Sequence, residues 1–254
     1  MIKNKELFDR LIGEALKHDF SGWDWAYLNQ RMIEAPLSWD YHQIVLERSR
    51  SVHSLLDMGT GGGEFLSTLQ PFPPQTYAIE CYPPNIEVAR RFLEPLGVKV
   101  IGLREEDPLP FEKDSLELAI NRHAGYAASE VYRVLKPGCS FITQQVGGRN
   151  NIRFNELMQE KVEFMYAYWT LDYAVQELIQ SGFHIVDRRE VFPETVFMDI
   201  GAVVYHLKVI SWQVEGFSVE KYYDKLALIH NILQESGKFV VNSHRFLIEA
   251  CKPL

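Results

Sequence analysis

Residues 55–65 decide the fold, and they read Leu55-Leu56-Asp57-Met58-Gly59-Thr60-Gly61-Gly62-Gly63-Glu64-Phe65. The apolar start predicts a buried strand, and the glycines after it predict a tight turn into a helix. Glycine lets a ligand approach the backbone closely, and the N-terminus of a helix presents unpaired N–H groups. The stretch therefore predicts a binding site for an adenosine-containing ligand.

The spacing of these glycines disfavours a dinucleotide. A G-x-G-x-x-G fingerprint that starts at Gly59 requires glycine at position 64, which is Glu64, and one that starts at Gly61 meets Leu66 instead. The carboxylate of Asp57 would repel a pyrophosphate, whereas it suits a ligand that carries an ammonium group. These two observations argue against a nicotinamide oxidoreductase.

Strand-like and helical patterns alternate from about residue 52 onward, which predicts a parallel sheet with crossover helices. The predicted strands lie at 52–57, 76–80, 98–101, 116–120, 141–146, around 184–186 and at 245–250. One predicted helix begins with Asn85 as its N-cap and stops at Gly97. Further helices are predicted at 129–135, around 171–178 and at 222–236, and residues 193–217 have a helix-like apolar pattern.

The pattern D-x-G-x-G-x-G at Asp57, Gly59, Gly61 and Gly63 resembles motif I of the class I S-adenosylmethionine-dependent methyltransferases. The resemblance covers about residues 50–190 motif by motif. It implies S-adenosyl-L-methionine as cofactor and S-adenosyl-L-homocysteine as product. It also implies an α/β, Rossmann-like fold with a seven-stranded, mostly parallel sheet and helices on both faces.

Two further segments fit the same family. Glu80 stands 21 residues after Gly59, at the end of the second predicted strand, where a carboxylate can accept both ribose hydroxyls. Arg104-Glu105-Glu106-Asp107-Pro108-Leu109-Pro110-Phe111 resembles the G-D-A-x-x-L-P-F segment of the methyltransferase-11-like branch, in which an acidic side chain accepts a hydrogen bond from the adenine amino group. Glu105 matches that position by counting, and Glu106 and Asp107 stay open as alternatives.

The end of the fourth strand, Asn121-Arg122-His123, is expected beside the reacting methyl group, and Glu130 to Gly138 resembles the E-x-x-R-V-L-K-P-G segment of the family. The resulting cofactor-binding prediction is Asp57, Gly59, Thr60, Gly61, Gly63, Glu80, Cys81, Glu105, Glu106 and Asn121.

His123 is the candidate general base, because an unperturbed imidazole titrates near neutral pH. The alternative is a hydrogen-bonded structural histidine at a strand end. Arg122 either binds an anionic acceptor or pairs with the acidic run 105–107. Both pairs of interpretations stay open at this point.

The chain is expected to form a single methyltransferase domain over 1–254. Its parts are a helical N-terminal cap segment at 1–50, a cofactor-binding core at 51–192, a cap insertion at 193–217, and a last helix and strand at 218–254. The aromatic residues Trp23, Trp25, Tyr27 and Trp39 are expected in the cap, which would choose the acceptor. Candidates for the acceptor pocket, by position only, are Gln144, Gln145, Asp199, Tyr205 and His206.

The composition of the 254 residues narrows the function further. A formal net charge of −8, from 26 Lys and Arg against 34 Asp and Glu, argues against a nucleic-acid partner. No apolar run approaches the ~18–20 residues that cross a bilayer, and the start lacks the apolar core of a signal peptide. Three scattered cysteines offer neither a disulfide framework nor a zinc site. We expect a soluble, cytoplasmic protein without a metal, a membrane partner or a disulfide.

The leading hypothesis is a methyltransferase that acts on a small molecule. An RNA methyltransferase is an alternative, because the Asn121-Arg122-His123 and Leu109-Pro110-Phe111 segments are similar to those of rRNA guanine methyltransferases. Those proteins carry an N-terminal cysteine zinc ribbon, and no cysteine precedes Cys81 here. A non-catalytic regulator that binds S-adenosylmethionine is the third hypothesis.

Overall fold

The computed structural model describes residues 2–20, 25–163 and 165–254, so Trp23 lies outside the described residues. The chain divides into two compact units. The first unit comprises Met1–Leu37, Gly147–Tyr168 and Val191–His244, and the second comprises Ser38–Val146, Trp169–Glu190 and Arg245–Leu254. Each unit is therefore assembled from segments that alternate along the sequence.

The strands, in chain order, are β1 (Met32–Glu34), β2 (Ser54–Met58), β3 (Gln75–Glu80), β4 (Lys99–Gly102), β5 (Leu116–Arg122), β6 (Leu135–Val146), β7 (His184–Val191), β8 (Glu194–Phe197), β9 (Phe239–Asn242) and β10 (Arg245–Cys251). The α-helices are α1 (Lys5–Lys17), α2 (Tyr41–Ser49), α3 (Glu64–Ser67), α4 (Pro83–Leu93), α5 (Ala128–Val134), α6 (Arg153–Met158), α7 (Leu171–Gln180), α8 (Ile200–Val209) and α9 (Tyr223–Ser236). None of the helices in the described ranges is both long and apolar enough to cross a membrane.

The second unit contains a seven-stranded sheet in the order β4-β3-β2-β5-β6-β10-β7. The five neighbouring strands β4, β3, β2, β5 and β6 run parallel, and β10 pairs antiparallel with β6. Every residue of β2 is buried, as expected for a parallel strand covered on both faces. The helices α2, α4, α5 and α7 pack against strands of this sheet. The expected seven-stranded, mostly parallel α/β sheet is confirmed.

The start of α4 differs from the prediction. Asn85 is not its N-cap, because the helix begins at Pro83 and Tyr82 occupies the cap position in an extended conformation. Proline suits the first helical positions, where its missing N–H has no intrahelical partner to lose. The predicted stop holds: Gly97 has a left-handed φ of +88° after a short 3₁₀ turn.

The first unit contains a three-stranded antiparallel sheet, β1-β8-β9, that the sequence patterns did not indicate. The prediction of helix throughout 193–217 is partly wrong, because β8 precedes α8 and Phe197 lies in the strand. Asp199 separates the two elements: its backbone is extended, and its side chain caps α8 by accepting a hydrogen bond from the Ala202 N–H at 2.9 Å.

The core of the first unit forms around α8, in which every residue from Ile200 to Leu207 is buried. Phe8, Ile12 and Ala15 of α1 belong to this core, as do Leu226, Ile229 and Leu233 of α9. Helix α9, which we expected to accompany the last strand of the cofactor sheet, belongs to the first unit instead. The aromatic residues of the N-terminal segment are divided, since Trp25 and Tyr27 lie in the first unit and Trp39 in the second.

Candidate functional site

The glycine turn joins β2 to α3 with left-handed backbone at three positions: φ is +74° at Gly59, +63° at Gly61 and +93° at Gly63. A Cβ atom at Gly59 would lie 2.3 Å from the Cβ of Ala124, and one at Gly63 would lie 2.5 Å from the Cγ of Leu93. At Gly61, by contrast, a Cβ would meet no atom of the described chain within 4 Å. Two glycines therefore permit close packing, and Gly61 leaves open space over the backbone for a ligand.

The carboxylate of Glu80 connects the end of β3 to this turn. Its Oε2 atom accepts a hydrogen bond from the Gly61 N–H at 2.7 Å, and its Oε1 atom accepts from the N–H groups of Cys81 and Tyr82, both at 2.8 Å. Glu80 is buried, and no basic side chain of the described residues forms an ion pair with it. Each carboxylate oxygen can accept about two hydrogen bonds, so Oε2 can accept another from a ligand hydroxyl.

Asp57 is a second buried carboxylate, on the neighbouring strand β2. Burial raises the pKa of its carboxyl from 3.8 to about 6, with a further contribution from the charge of Glu80, while Thr60 and Arg122 oppose the increase. Within the described ranges, no basic side chain lies at ion-pair distance from Asp57. A buried carboxylate without a cationic partner is suited to a ligand that brings its own positive charge. The residues therefore fit a ligand with an ammonium group and hydroxyls, and they do not fit a pyrophosphate.

The three acidic residues after β4 differ in their surroundings. Arg104 binds Asp107 through an Nη2–Oδ1 contact of 2.7 Å, and its Nη1 atom lies 3.5 Å from Oε1 of Glu106. The hydrogen bond from Arg104 to Asp107 lowers the pKa of the Asp107 carboxyl. Burial raises the pKa of the Cys81 thiol, and among the three acidic residues Glu105 adds most to that increase. Asp107 therefore stabilises the turn, and Glu105 is the residue of the acidic run whose charge acts most strongly on Cys81, although Glu80 acts more strongly still.

The Leu109-Pro110-Phe111 segment is held by two residues of α5. The Oε2 atom of Glu130 accepts a hydrogen bond from the Leu109 N–H at 3.0 Å. Arg133 donates to the carbonyl oxygens of Leu109 at 2.8 Å and Phe111 at 2.7 Å, and it also pairs with Glu130. The structure thereby joins two motifs that are separate in the sequence.

Asn121 is fully buried, and its side chain is engaged within the sheet. The Nδ2 group donates to the carbonyl oxygen of Met58 at 3.1 Å, and Oδ1 accepts from Gln145 Nε2 at 2.6 Å and from Thr143 Oγ1 at 3.1 Å. The side chain therefore cross-links the carboxyl ends of β2, β5 and β6. A cofactor contact at this position would use its backbone rather than its amide.

His123 follows β5 with a left-handed φ of +61°, and its N–H donates to the Gln144 carbonyl oxygen at 2.8 Å. The Gln144 side-chain oxygen accepts from Trp39 Nε1 at 2.8 Å, so the amide nitrogen of Gln144 faces His123 Nε2 at 3.0 Å. An indole N–H can only donate, which fixes the Gln144 amide and makes Nε2 of His123 an acceptor. The proton of the neutral imidazole is therefore on Nδ1.

The electrostatic surroundings also favour the neutral imidazole. The side chain of His123 reaches solvent, but close packing of the protein around it, together with the positive charges of Arg245 and Arg122, lowers the pKa of the imidazole well below its usual range. A neutral ring of low pKa with Nε2 already hydrogen-bonded is a weak general base. These observations support the structural interpretation of His123 more than the catalytic one.

Arg122 is exposed, and its guanidinium lies over the ring of Phe65 with Cζ 4.8 Å from the ring centroid. The acidic run pairs with Arg104, and Arg122 forms no ion pair with any part of the chain that the structure describes. The described residues thus show no pairing of Arg122 with the acidic run, and the binding of an anionic ligand by Arg122 stays a prediction.

The remaining acceptor-pocket candidates have structural partners. Gln145 binds Asn121, and Asp199 forms a bidentate pair with Arg31 at 2.7 and 2.5 Å in the first unit. Tyr205 and His206 are buried on α8 of that unit, where the His206 ring stacks on Phe154 at 5.7 Å. Among the described residues, no group of three or more His, Cys, Asp or Glu side chains could hold a metal ion.

Comparison with known proteins gives one family and several relatives. Residues 56–143 match a family described as "Methyltransferase domain". The chain is similar to YcgJ of Bacillus subtilis (strain 168), described as an uncharacterized methyltransferase, at 28% identity over 102 residues, which is 37% of this chain and 40% of YcgJ. The sequence match thus spans less than half of that relative.

Solved structures share the fold over more of the chain. BH2331 from Bacillus halodurans C-125 has a TM-score of 0.61 at 18% identity, over 84% of this chain and 99% of its own. The YcgJ structure has a TM-score of 0.56 at 17% identity, over 84% and 98%. The [4+2]-cyclase SpnF has a TM-score of 0.54 at 17% identity, over 98% and 93%. At these identities the structures show a common fold.

Proposed function

We propose that this chain, whose residues 56–143 match a family described as "Methyltransferase domain", is a class I S-adenosylmethionine-dependent methyltransferase that transfers a methyl group to a small-molecule acceptor. The observation that carries the proposal is the pair of buried carboxylates, Asp57 and Glu80, on adjacent strands beside the open backbone at Gly61. Both lack a basic side-chain partner among the described residues. This arrangement suits the ammonium group and the ribose hydroxyls of S-adenosylmethionine.

In this proposal, each side chain has a defined task. Asp57 receives the ammonium group, Glu80 Oε2 receives a ribose hydroxyl, and Glu105 accepts from the adenine amino group, with Glu106 as the alternative. Thr60, Cys81 and the backbone at Asn121 line the same turn. When bound, the cofactor would supply an electrophilic methyl group that an acceptor lone pair can take, with a neutral thioether as the leaving group. The protein then contributes mainly proximity, orientation and exclusion of water.

A net charge of −8 supports a small molecule over RNA as the acceptor. The sequence has no apolar run long enough to cross a bilayer, which supports a cytoplasmic location in this proposal. The proposal includes no metal and no membrane partner.

Calorimetric titration with S-adenosylhomocysteine and with NAD tests the cofactor. We expect binding of S-adenosylhomocysteine and no measurable heat with NAD. Asp57→Asn should weaken S-adenosylhomocysteine by about tenfold, because it removes a charge-assisted hydrogen bond. The control Asp172→Asn changes an exposed carboxylate on α7 and should bind like the wild type. Tight binding of NAD without S-adenosylhomocysteine would refute the proposal.

A second candidate is a protein that binds S-adenosylmethionine without transferring its methyl group. The fold shared with a [4+2]-cyclase over 98% of this chain favours keeping it, because a fold does not specify a reaction. Consumption of a labelled methyl donor against a metabolite extract separates the two candidates. Cofactor binding with no methyl transfer to any component would favour the second, and salt-sensitive retention of RNA would favour an RNA acceptor instead.

A further inference from the structure

We propose that His123 and Arg122 bind an anionic oxygen group, carboxylate or phosphate, of the methyl acceptor, and that His123 does so as a neutral hydrogen-bond donor through Nδ1–H. The inference rests on the proposed function, because it assigns the substrate class of the same site. It gives Trp39 and Gln144 the role of positioning residues.

The first step of the argument is the direction of a hydrogen-bond chain. Trp39 Nε1 donates to Gln144 Oε1 at 2.8 Å, and Gln144 Nε2 then faces His123 Nε2 at 3.0 Å. Trp39 and Gln144 are both buried, so water cannot replace either of these hydrogen-bond partners. The Gln144 amide therefore keeps this orientation. The exposed imidazole therefore presents Nδ1–H, which donates to no residue of the described ranges.

The second step is the location of that N–H group. A Cβ at Gly59 would lie 2.3 Å from the Cβ of Ala124, so the turn that carries His123 packs directly on the glycine turn. In an open α/β sheet, ligands bind beyond the carboxyl ends of the strands. His123 also has a φ of +61°, a conformation that costs free energy in a residue with a side chain and that often marks a functional site.

The third step is the division of charge along this edge of the sheet. Asp57 lies one residue before the end of β2, Glu80 ends β3 and the acidic run follows β4, whereas Arg122 ends β5. The exposed guanidinium of Arg122 makes no ion pair with the described residues and lies over Phe65. The β2–β4 side thus suits a cationic cofactor, and the β5 side offers a guanidinium and an adjacent N–H donor to an anion.

A general base at His123 requires more rearrangement. Nε2 would have to leave Gln144, and Gln144 would then have its amide nitrogen unpaired or lose its bond from Trp39. The pKa of the ring, lowered by its packing and by Arg245 and Arg122, keeps it neutral without making it a strong proton acceptor. A donor role uses the tautomer that the structure already holds.

The tautomer is tested by nitrogen NMR of protein labelled with ¹⁵N-histidine. The chain has eight histidines, and the His123 signals are assigned by their loss in His123→Asn. We expect the Nδ1–H tautomer in the wild type and a mixture of tautomers in Trp39→Phe, which removes the indole N–H while keeping an aromatic ring. Protonation on Nε2 in the wild type would overturn the inference.

Anion binding is tested in the same spectra with S-adenosylhomocysteine present, by titration with succinate, with inorganic phosphate and with the neutral analogue succinamide. We expect succinate or phosphate to shift the Nδ1 signal of His123 and succinamide to have no effect. The two anions distinguish a carboxylate from a phosphate acceptor. Equal shifts from succinate and succinamide, or no shift from either anion, would overturn the proposal.

Two variants at position 123 distinguish a hydrogen-bond donor from a proton acceptor and from a purely structural residue. Their affinity for succinate or phosphate is measured by calorimetry. Asparagine and aspartate both tolerate a left-handed φ and have nearly the same shape. His123→Asn keeps an N–H donor at the δ position and should bind the anion within about threefold of the wild type, whereas His123→Asp should weaken it by about tenfold or more. Equal weakening in both variants would contradict a donor role.

Arg122→Gln and calorimetry with S-adenosylhomocysteine complete the test. The titrations are made at pH 8, where Asp57 is ionised with or without the charge of Arg122. Arg122→Gln should there weaken anion binding by about tenfold and leave S-adenosylhomocysteine binding unchanged. The opposite result would assign Arg122 to the cofactor and refute the proposal. Failure of the wild type to bind S-adenosylhomocysteine would refute the proposed function itself, and with it the assignment of the anion as a methyl acceptor.

Discussion

Glu80 accepts a hydrogen bond from the backbone N–H of Gly61 across 2.7 Å, which ties the end of one strand to the turn that follows its neighbour. The side chain that is expected to bind the ribose therefore also shapes the loop beneath the ligand. We therefore expect cofactor binding and the local stability of the turn to be coupled through this carboxylate.

Replacing Glu80 by glutamine should affect both properties. The amide oxygen can keep two of the three backbone N–H partners, and the amide nitrogen then opposes a third donor. An unsatisfied buried donor costs about 1–3 kcal/mol. We expect a loss of that size in the free energy of unfolding, measured by denaturant titration, and at least about tenfold weaker S-adenosylhomocysteine binding.

Glu117→Gln is the matched control for this prediction. Glu117 accepts from the His53 N–H at 2.7 Å near the amino end of β5, away from the carboxyl ends. It should lose stability without losing affinity for S-adenosylhomocysteine. Equal losses of affinity in the two variants would show that Glu80 acts only through the fold.

Because the pKa of Asp57 is raised in the folded chain, we expect opposite pH dependences for the free energy of unfolding and for the affinity for S-adenosylhomocysteine. Its pKa is about 6 in the folded chain against 3.8 ordinarily, so the folded state holds a proton that the unfolded state releases between these values. Stability should therefore fall as pH rises from about 4 to about 6, by about 3 kcal/mol, and stay level above. Asp57→Asn should remove this dependence and be the more stable protein at pH 7.

Binding should change in the other direction. An ammonium group favours the charged carboxylate, so the affinity for S-adenosylhomocysteine should rise between about pH 5 and pH 7, with proton release from Asp57 near pH 6. Calorimetry in buffers of different ionisation enthalpy measures that release. Affinity that does not change with pH in the wild type, or changes equally in Asp57→Asn, would assign the ammonium group to another residue.

Gly61→Ala isolates the open space over the turn. A left-handed φ costs an alanine about 1 kcal/mol, and at Gly61 no described atom obstructs the new methyl group. Gly97→Ala is the control, because Gly97 is also left-handed and unobstructed but ends a helix segment. Both variants should lose about 1 kcal/mol of stability, and only Gly61→Ala should weaken S-adenosylhomocysteine, by about tenfold or more.

Arg133→Lys should loosen the segment after the acidic run. A lysine is a single ammonium group and cannot reproduce the guanidinium contacts to Leu109, Phe111 and Glu130 together. We expect a loss of about 1–2 kcal/mol in stability and faster hydrogen exchange over residues 105–111. Exchange that increases elsewhere but not in this segment would argue against the role assigned to Arg133.

Local patterns were sufficient for the sheet of the second unit. Strands β2, β3 and β4 follow short apolar runs with a glycine or proline close to one end, and the turn at Gly97 uses the residue that a left-handed φ favours. Asn85 was a wrong cap because the two prolines before it can begin a helix themselves. Both Asn85 as an N-cap and proline at the first helical positions were possible starts, and the helix begins at the prolines.

Long-range pairing was not predictable in the same way. The strands Met32–Glu34, Glu194–Phe197 and Phe239–Asn242 are three or four residues long, and each gains its hydrogen bonds from a distant part of the chain. Trp39 and Gln144 are 105 residues apart, so nothing local indicated that they set the tautomer of His123. The glycine motif could be identified from the sequence, whereas the hydrogen-bond partners of His123 and Gln144 could not.

The position of β10 has a consequence for biosynthesis. This strand follows all the others in the sequence, yet it lies inside the sheet, between β6 and β7. Until Arg245–Cys251 leaves the ribosome, β6 has an unpaired edge and β7 has no neighbour to join. Such an exposed edge invites pairing with other chains. The nascent polypeptide therefore carries an incomplete sheet, with an open edge on β6, until Arg245–Cys251 has been synthesised.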